Sequence, residues 1–416
     1  MGASLVEAPT QISMSFKNKR FAFFSHLDFN LYRFRLALMQ ELITQGAQVL
    51  AISPSGEYSS LFKQHRIEFV PFDFDRLSFN PIAVLGVMDR LTQLLHKLRP
   101  NLLHTFTLRP NAYGGIAGQH ARVPVIVSTV TGLGSLYSDN FGFRGAVARV
   151  GVNNLTRRAL SRASAVIFQN PDDQKFYLDK RLCRSEQTRL IIGSGVDVNL
   201  FSPQAVSEER KAQLRKEWRL APDEIVVTMV ARLLASKGVY EFLQAGVRMR
   251  NRARFVLIGD PDPGNPSTLT VESLRPYISQ GNLIAPGYQE NIPEWLAISD
   301  IYALPSYGEG LPRTVLEAMA MELPVITTDV PGCRETVNDG ENGYLIPPRN
   351  SEALAQALER LTGNPKLRQT MGKRSREIVE SRFSNCVILE QYLNLYKNLL
   401  AENEDSDHLW DPARSD

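Results

Sequence analysis

The chain has 416 residues, 43% of them hydrophobic and 22% charged, with a formal charge of +3. That length holds two domains with real cores, and the balance is that of a soluble globular protein. The charge is too small to argue for nucleic acid. The three cysteines, Cys183, Cys333 and Cys386, form neither a disulfide framework nor a metal spacing, and no apolar run is long enough to span a bilayer.

The N-terminus lacks a charged region followed by an apolar core, so no secretory signal is expected. The first residues and the acidic tail after Ala401 are expected to be disordered. Between Arg20 and about Ile192, short apolar runs alternate with longer amphipathic ones. Strands are predicted over 20–25, 48–53, 67–72, 102–105, 125–129, 165–168 and 190–192, and helices over 31–45, 82–97 and 144–163. The turn residues of Gly195-Val-Asp-Val-Asn-Leu-Phe-Ser-Pro203 lead into a charged run, 207–219, and the domain boundary is placed there. The alternation then restarts. Strands are predicted over 224–231, 254–258, 282–285, 301–304, 325–328 and 344–346, and helices over 239–250, 312–321 and 351–361. Two closing helices are expected over 365–381 and 385–400. Strand–helix alternation implies parallel sheets covered on both faces, and two such domains leave a cleft between their strand ends.

The most informative stretch is Leu304-Pro-Ser-Tyr-Gly-Glu-Gly-Leu-Pro-Arg-Thr-Val-Leu-Glu-Ala-Met-Ala320. It reads as a buried strand, a glycine-bearing loop, and a helix opening near Pro312, where proline's missing N–H costs nothing. Gly308 and Gly310 let the backbone approach a ligand, with Leu311 and Pro312 at the helix tip. The free N–H groups and helix dipole there favour an anion such as a phosphate. Glu309 on the loop and Glu317 in the helix suit the hydroxyls on either side of a diphosphate. Arg232 and Lys237 leave the strand at 224–231 on the same predicted sheet edge, so two cations would meet the charge of a departing phosphate. Gly259 ends another strand and Tyr288 a further one, where a flat base could rest.

In the first domain, Asn30, Arg33 and Arg35 follow strand one, and Arg109 and Asn111 follow the strand at 102–105. Thr131 and Gly132, within Thr129-Val-Thr-Gly-Leu-Gly134, follow the next. All are candidates to meet an anionic acceptor. His26, His65, His96 and His120 show no metal spacing and read as structural or solvated. Arg144, Arg149, Arg157, Arg158 and Arg162 make one helix basic, a candidate for an anionic lipid surface as well as for simple solvation.

With these motifs assembled, the chain resembles the group 1, retaining glycosyltransferases of the GT-B fold, over nearly its whole length. The match rests on Tyr307-Gly-Glu-Gly-Leu-Pro312 with Glu317-Ala-Met-Ala320, on Arg232 with Lys237-Gly238, on Gly195-Val-Asp197 with Phe201-Ser-Pro203, on Pro324-Val-Ile-Thr-Thr-Asp-Val-Pro-Gly332 with Glu335, and on Asn342-Gly-Tyr-Leu-Ile-Pro347. The resemblance implies an α/β architecture of two Rossmann-like, doubly wound domains facing a cleft. These would be an acceptor-side domain over 15–202, a nucleotide-sugar domain over 203–383, and a helix over 384–400 crossing back. It implies that Arg232 and Lys237 hold the donor diphosphate, that Glu317 binds the ribose and Glu309 lies beside the transferred sugar, and that neither metal nor cofactor is needed. Thr131 stands where many members carry His, and His26–Asn30 replaces a Gly-Gly loop. A narrower likeness is to a bacterial subgroup that adds N-acetylhexosamines to lipid-linked intermediates. It implies a UDP-sugar donor, a polyprenyl-diphosphate-linked acceptor, and a cytoplasmic enzyme peripheral on the inner membrane face. The rival expectations are a nucleotide-sugar epimerase on the same fold and a non-catalytic carbohydrate-binding protein.

Overall fold

The computed structural model describes residues 15–409 apart from 76–80, 134–141, 264, 266 and 281. The expectation of disorder before residue 15, and Gly134, lie outside the described residues.

The first sheet is built from β1 (Arg20–Phe24), β2 (Gln48–Ser53), β3 (Glu68–Pro71), β4 (Leu102–Phe106), β5 (Val125–Val130), β6 (Ala165–Phe168) and β7 (Thr188–Leu190). The strands are parallel, in the order β3-β2-β1-β4-β5-β6-β7. Between them run α1 (Asp28–Thr44), α2 (Pro81–Leu98), α3 (Leu108–His120), α4 (Gly142–Leu160) and α5 (Pro171–Asp179). Strand β1 shows why both faces must be covered. Phe21 and Phe23 enter one core with Leu31, Leu38 and Leu42 of α1, while Ala22 and Phe24 enter the opposite core with Leu91 of α2 and Ile116 of α3.

The second sheet holds β8 (Val226–Val230), β9 (Arg254–Ile258), β10 (Leu283–Gly287), β11 (Ile301–Leu304), β12 (Val325–Thr328) and β13 (Gly343–Ile346), parallel in the order β10-β9-β8-β11-β12-β13. Its helices are α6 (Glu208–Glu217), α7 (Val239–Arg248), α8 (Val271–Ile278), α9 (Ile292–Ala297), α10 (Arg313–Ala320), α11 (Ser351–Thr362) and α12 (Pro365–Arg382). In both sheets the strand order reverses beside the first strand, between β1 and β4 and between β8 and β11. Ligands of open α/β sheets bind beyond the strand ends at such points.

The last helix, α13 (Asn385–Leu409), returns to the first domain, where Ile388, Tyr392, Tyr396 and Leu399 share the core of Phe21 and Phe23. It runs past Ala401, so residues 401–409 are helical rather than disordered, with Glu404 paired to Lys19. The charged run at 207–219 is likewise ordered as α6, capped where the Ser207 side chain accepts the Arg210 N–H. Helix α3 escapes the sequence pattern because its residues 110–118 are all buried, which leaves no amphipathic stripe to read. Strand β7 lies two residues before its predicted place.

Candidate functional site

The loop between β11 and α10 is anchored on three sides. The Tyr307 N–H donates to Ser236 O at 2.8 Å, the Glu309 N–H donates to Pro331 O at 3.0 Å, and the Tyr307 hydroxyl donates to Glu241 Oε1 at 2.8 Å. Tyr302, buried beneath, donates its hydroxyl to Thr314 Oγ1 at 2.7 Å and so ties β11 to the first turn of α10. These bonds spend the loop's polar groups on the scaffold, and a loop so tied holds its functional side chains in place.

Lys237 ends a short turn, Ala235–Lys237, closed by Gly238 at φ 75°. A β-carbon on Gly238 would lie 2.0 Å from Pro305 O, so glycine is what lets this turn sit against the β11 loop. The Lys237 ammonium then donates to both carboxylate oxygens of Glu309, at 2.6 and 2.7 Å, and Ser306 Oγ donates to Glu309 Oε1 at 2.8 Å. Arg232 follows β8 as an exposed side chain, its guanidinium paired to the Asp262 carboxylate rather than to Glu309. Gly259 ends β9, where its N–H donates to Gly287 O at 3.0 Å. Tyr288 follows β10, exposed, with its hydroxyl 3.2 Å from that of Tyr58 in the first domain. Burial and that Tyr288 contact push the Tyr58 hydroxyl up to about 12.

Glu317 is buried one turn into α10 and accepts from Arg313 Nε at 3.0 Å. Burial raises its carboxyl above the ordinary range, while Arg313 and Arg33 pull it back down. Arg313 also donates to the Arg33 carbonyl and lies over the Phe34 ring, 5.5 Å from its centroid, so the helix tip engages the first domain. Arg33, Arg313, Glu317 and Glu290 line a cavity of about 700 Å³ between α1 and α10.

The two domains touch at the glycine loop itself. Asn170, fully buried at the end of β6, donates its amide to Gly310 O at 2.8 Å and to Asp173 Oδ2 at 3.0 Å. A β-carbon on Gly310 would stand 2.2 Å from Thr131 O, one on Gly132 3.4 Å from Gly310 N, and one on Gly193 2.6 Å from Leu311 Cδ2. A larger residue at Gly310 would therefore wedge the domains apart. Gly308 is open around its α-carbon, and Pro312 caps α10 in an extended conformation. Arg334 bridges to Asp172 at 3.0 Å on the same seam.

Two expected acceptor-side residues are elsewhere. Arg35 is buried on the inner face of α1, its guanidinium 4.5 Å from the centre of the Phe106 ring and bonded to the Tyr392 hydroxyl at 3.4 Å. Its long stem and planar head pack the returning helix instead of facing the cleft. Asn111 is buried too, accepting from Thr105 Oγ1 at 2.8 Å and donating to Thr129 O at 2.9 Å. Asn30 lies beside His26, and Arg109 donates to the Tyr113 hydroxyl at 3.3 Å. In the basic helix α4, Arg157 is engaged with the carbonyls of Arg181 and Lys180 at 2.9 and 3.3 Å, which makes it a structural clamp.

Sequence reasoning missed Asn170, Asp173, Ser306, Glu241 and Tyr58. Asn170 was findable: Asn-Pro-Asp-Asp after a predicted strand is a helix-start signature. Glu241 and Tyr58 carry no local signal, since their partners lie 66 and 230 residues away.

Comparison with known proteins fits this geometry. The glycosyl transferases group 1 family model matches residues 210–378, and the glycosyl transferase 4-like model matches residues 21–170. The N,N'-diacetylbacillosaminyl-diphospho-undecaprenol alpha-1,3-N-acetylgalactosaminyltransferase of Campylobacter jejuni is 29% identical over 92% of this chain and 99% of its own. The UDP-Gal:alpha-D-GlcNAc-diphosphoundecaprenol alpha-1,3-galactosyltransferase of Escherichia coli is 26% identical over 74% of this chain and 78% of its own. Anabaena HepE, solved with UDP and glucose, superposes with a TM-score of 0.76 at 24% identity, over 91% of this chain and 99% of that one. Two parallel sheets facing a cleft, a glycine–glutamate loop at the seam, and a family match on each side of it lead to one assignment: the chain is a group 1 glycosyltransferase of the GT-B fold.

Proposed function

We propose that this glycosyltransferase moves an N-acetylhexosamine from a UDP-sugar to a polyprenyl-diphosphate-linked saccharide, with retention of anomeric configuration and without a metal. The observation that carries this reading is the Lys237–Glu309 pair beneath the interdomain contact of Gly310 with Thr131. An ammonium and a carboxylate side by side offer a cation to the leaving diphosphate and an acceptor to the hydroxyls of the sugar. In this reading Arg232 and the amino end of α10 add positive charge, and Glu317 in its cavity meets the ribose. The departing nucleotide oxygen takes up the acceptor hydroxyl's proton, and the new glycosidic bond forms on the face the nucleotide leaves. The names of the Campylobacter and Escherichia relatives support the lipid-linked acceptor.

The acceptor would be met at a membrane face. No helix among the described residues is long and apolar enough to cross a bilayer. Ile82 and Leu85 on α2 and Val150 on α4 are exposed on the first domain, which supports peripheral contact with the inner leaflet.

The test is a screen of UDP- and other nucleotide-sugars with extracted lipid-linked saccharides as acceptors. Label should appear in the lipid fraction from a UDP-N-acetylhexosamine, with the anomeric configuration of the donor preserved in the product. Transfer from a different nucleotide, or interconversion of the donor with no acceptor present, would remove this reading.

A further inference from the structure

Three strands that are neighbours in the first sheet, β1, β4 and β5, end at the cleft in His26, Thr107 and Thr131. Thr131 already touches Gly310. With strands about 4.8 Å apart, His26 stands roughly 10 Å further along the same edge, within reach of a sugar seated beside the glycine loop.

Thr107 has φ 75° and ψ 164°, a region that glycine occupies and a β-branched residue all but avoids. The backbone is held there from both sides. Its N–H donates to Thr129 O at 3.2 Å, and its carbonyl accepts the Asn111 N–H at 2.9 Å. Asn111 is itself pinned to Thr105 and to Thr129 O. What this conformation achieves is a direction: Thr107 Oγ1 lies 2.9 Å from His26 Nδ1. The other ring nitrogen lies 3.5 Å from Asn30 Nδ2. One residue earlier, Ser25 is buried with its hydroxyl unpartnered, an unspent polar group at this strand end.

A core that served packing alone would relax the Thr107 backbone and satisfy the Ser25 hydroxyl. Both features sit at the cleft edge, where strain and spare hydrogen-bonding capacity mark ligand contact. We propose that His26 is the residue that selects the acceptor: its ring binds a hydroxyl of the acceptor's terminal sugar and so decides which hydroxyl faces the donor. Thr107 is the positioning residue that fixes the ring. The ligand class is a neutral, polyhydroxylated pyranose. This inference rests on the transfer reaction proposed above.

The experiment uses the full-length enzyme, a radiolabelled UDP-N-acetylhexosamine, and lipid-linked saccharides extracted from membranes. Transfer is compared with slow hydrolysis of the same donor in the absence of acceptor. In His26→Ala, the ratio of transfer to hydrolysis should fall at least about tenfold, through a raised acceptor KM, the effect of one lost hydrogen bond in a desolvated site. His26→Gln should recover part of that ratio, and its product should carry a mixture of linkage positions. Thr107→Val, which keeps the side-chain shape and removes the hydroxyl, should raise the acceptor KM in the same direction. Thr107→Ser, which keeps the hydroxyl, should stay near wild type. An unchanged acceptor KM in His26→Ala, or an equal fall of transfer and hydrolysis, would overturn the role of His26 and leave the broader reading intact. Absence of both reactions in the wild-type enzyme would remove the broader reading and this one with it.

Discussion

At the scale of single residues, two carboxylates on one loop and helix are held by different partners. Glu309 is fixed by Lys237 and Ser306, whereas Glu317 is buried against Arg313. Glu309 is thus held with a cation beside it, and Glu317 lines a cavity whose walls belong to both domains. In the proposed transfer, the Lys237 ammonium is the group that would meet the charge growing on the departing phosphate. Replacing it in Lys237→Ala should cut transfer by about 10²–10³, the loss seen when one donor to a developing oxyanion is removed. Stability should fall as well, by about 1–3 kcal/mol, because the largely buried Glu309 carboxylate loses its charge partner and keeps only Ser306. Steady-state transfer and a thermal melt on the same preparation check both halves. Normal turnover in this variant would take Lys237 out of the machinery.

At the scale of elements, the returning helix α13 has the most telling seam. His104 on β4 is fully buried, with Nδ1 on the Tyr396 hydroxyl and Nε2 2.6 Å from Thr129 Oγ1. Burial, reinforced by the nearby Arg35 charge, holds the imidazole well below its usual range. It is therefore a neutral link between sheet and helix. Tyr396→Phe would leave a ring nitrogen buried without a partner, a loss of about 1–3 kcal/mol that should lower the melting temperature by several degrees. Calorimetry decides it, and an unchanged melt would mean that α13 docks by apolar contact alone. The helix itself was legible in the sequence, as were β2, β6, β9, β11 and β12 to the residue, because a buried parallel strand between turn residues is a strong local pattern. The glycine–glutamate loop and the Lys237 turn that meets it were legible for the same reason, since each follows a readable strand, whereas Arg232 is exposed and paired with Asp262. Arg35 and Asn111 were misread because a helix start beside a cleft looks the same in sequence whether its polar residue faces the ligand or the core. Their partners, Tyr392 and Thr129, come from remote segments that only the folded chain brings near. Helix α3 failed for a different reason, burial on every side.

At the scale of the whole molecule, the seam between the domains carries a buried acid. Asp173 opens α5 behind Asn170, the same side chain that reaches across to Gly310. Burial raises its carboxyl to about 6. The Asn170 hydrogen bond opposes that rise, and the charges of Asp172 and of Glu335 in the second domain add to it. Glu335 is raised as well, again by burial, and its Oε2 is a buried oxygen without a partner. A carboxyl whose folded value lies above its unfolded one is stabilising when protonated. The unfolded chain releases that proton near pH 3.8 and the folded one only near 6, so stability is full below that window and drains away as pH rises across it. Moving the titration from 3.8 to about 6 corresponds to roughly 3 kcal/mol. Asp173→Asn keeps an oxygen for the Asn170 amide but has no proton to release. Its stability should match the wild type near pH 4 and exceed it by that amount above pH 6, read as the difference between two denaturant titrations at each pH. The comparison cancels His104, which loses stability in the opposite direction as pH falls, because both proteins carry it. If the two curves stay parallel from pH 4 to 7, the carboxyl is hydrated in solution, and the domains part at this seam more readily than the closed contact of Gly310 with Thr131 implies.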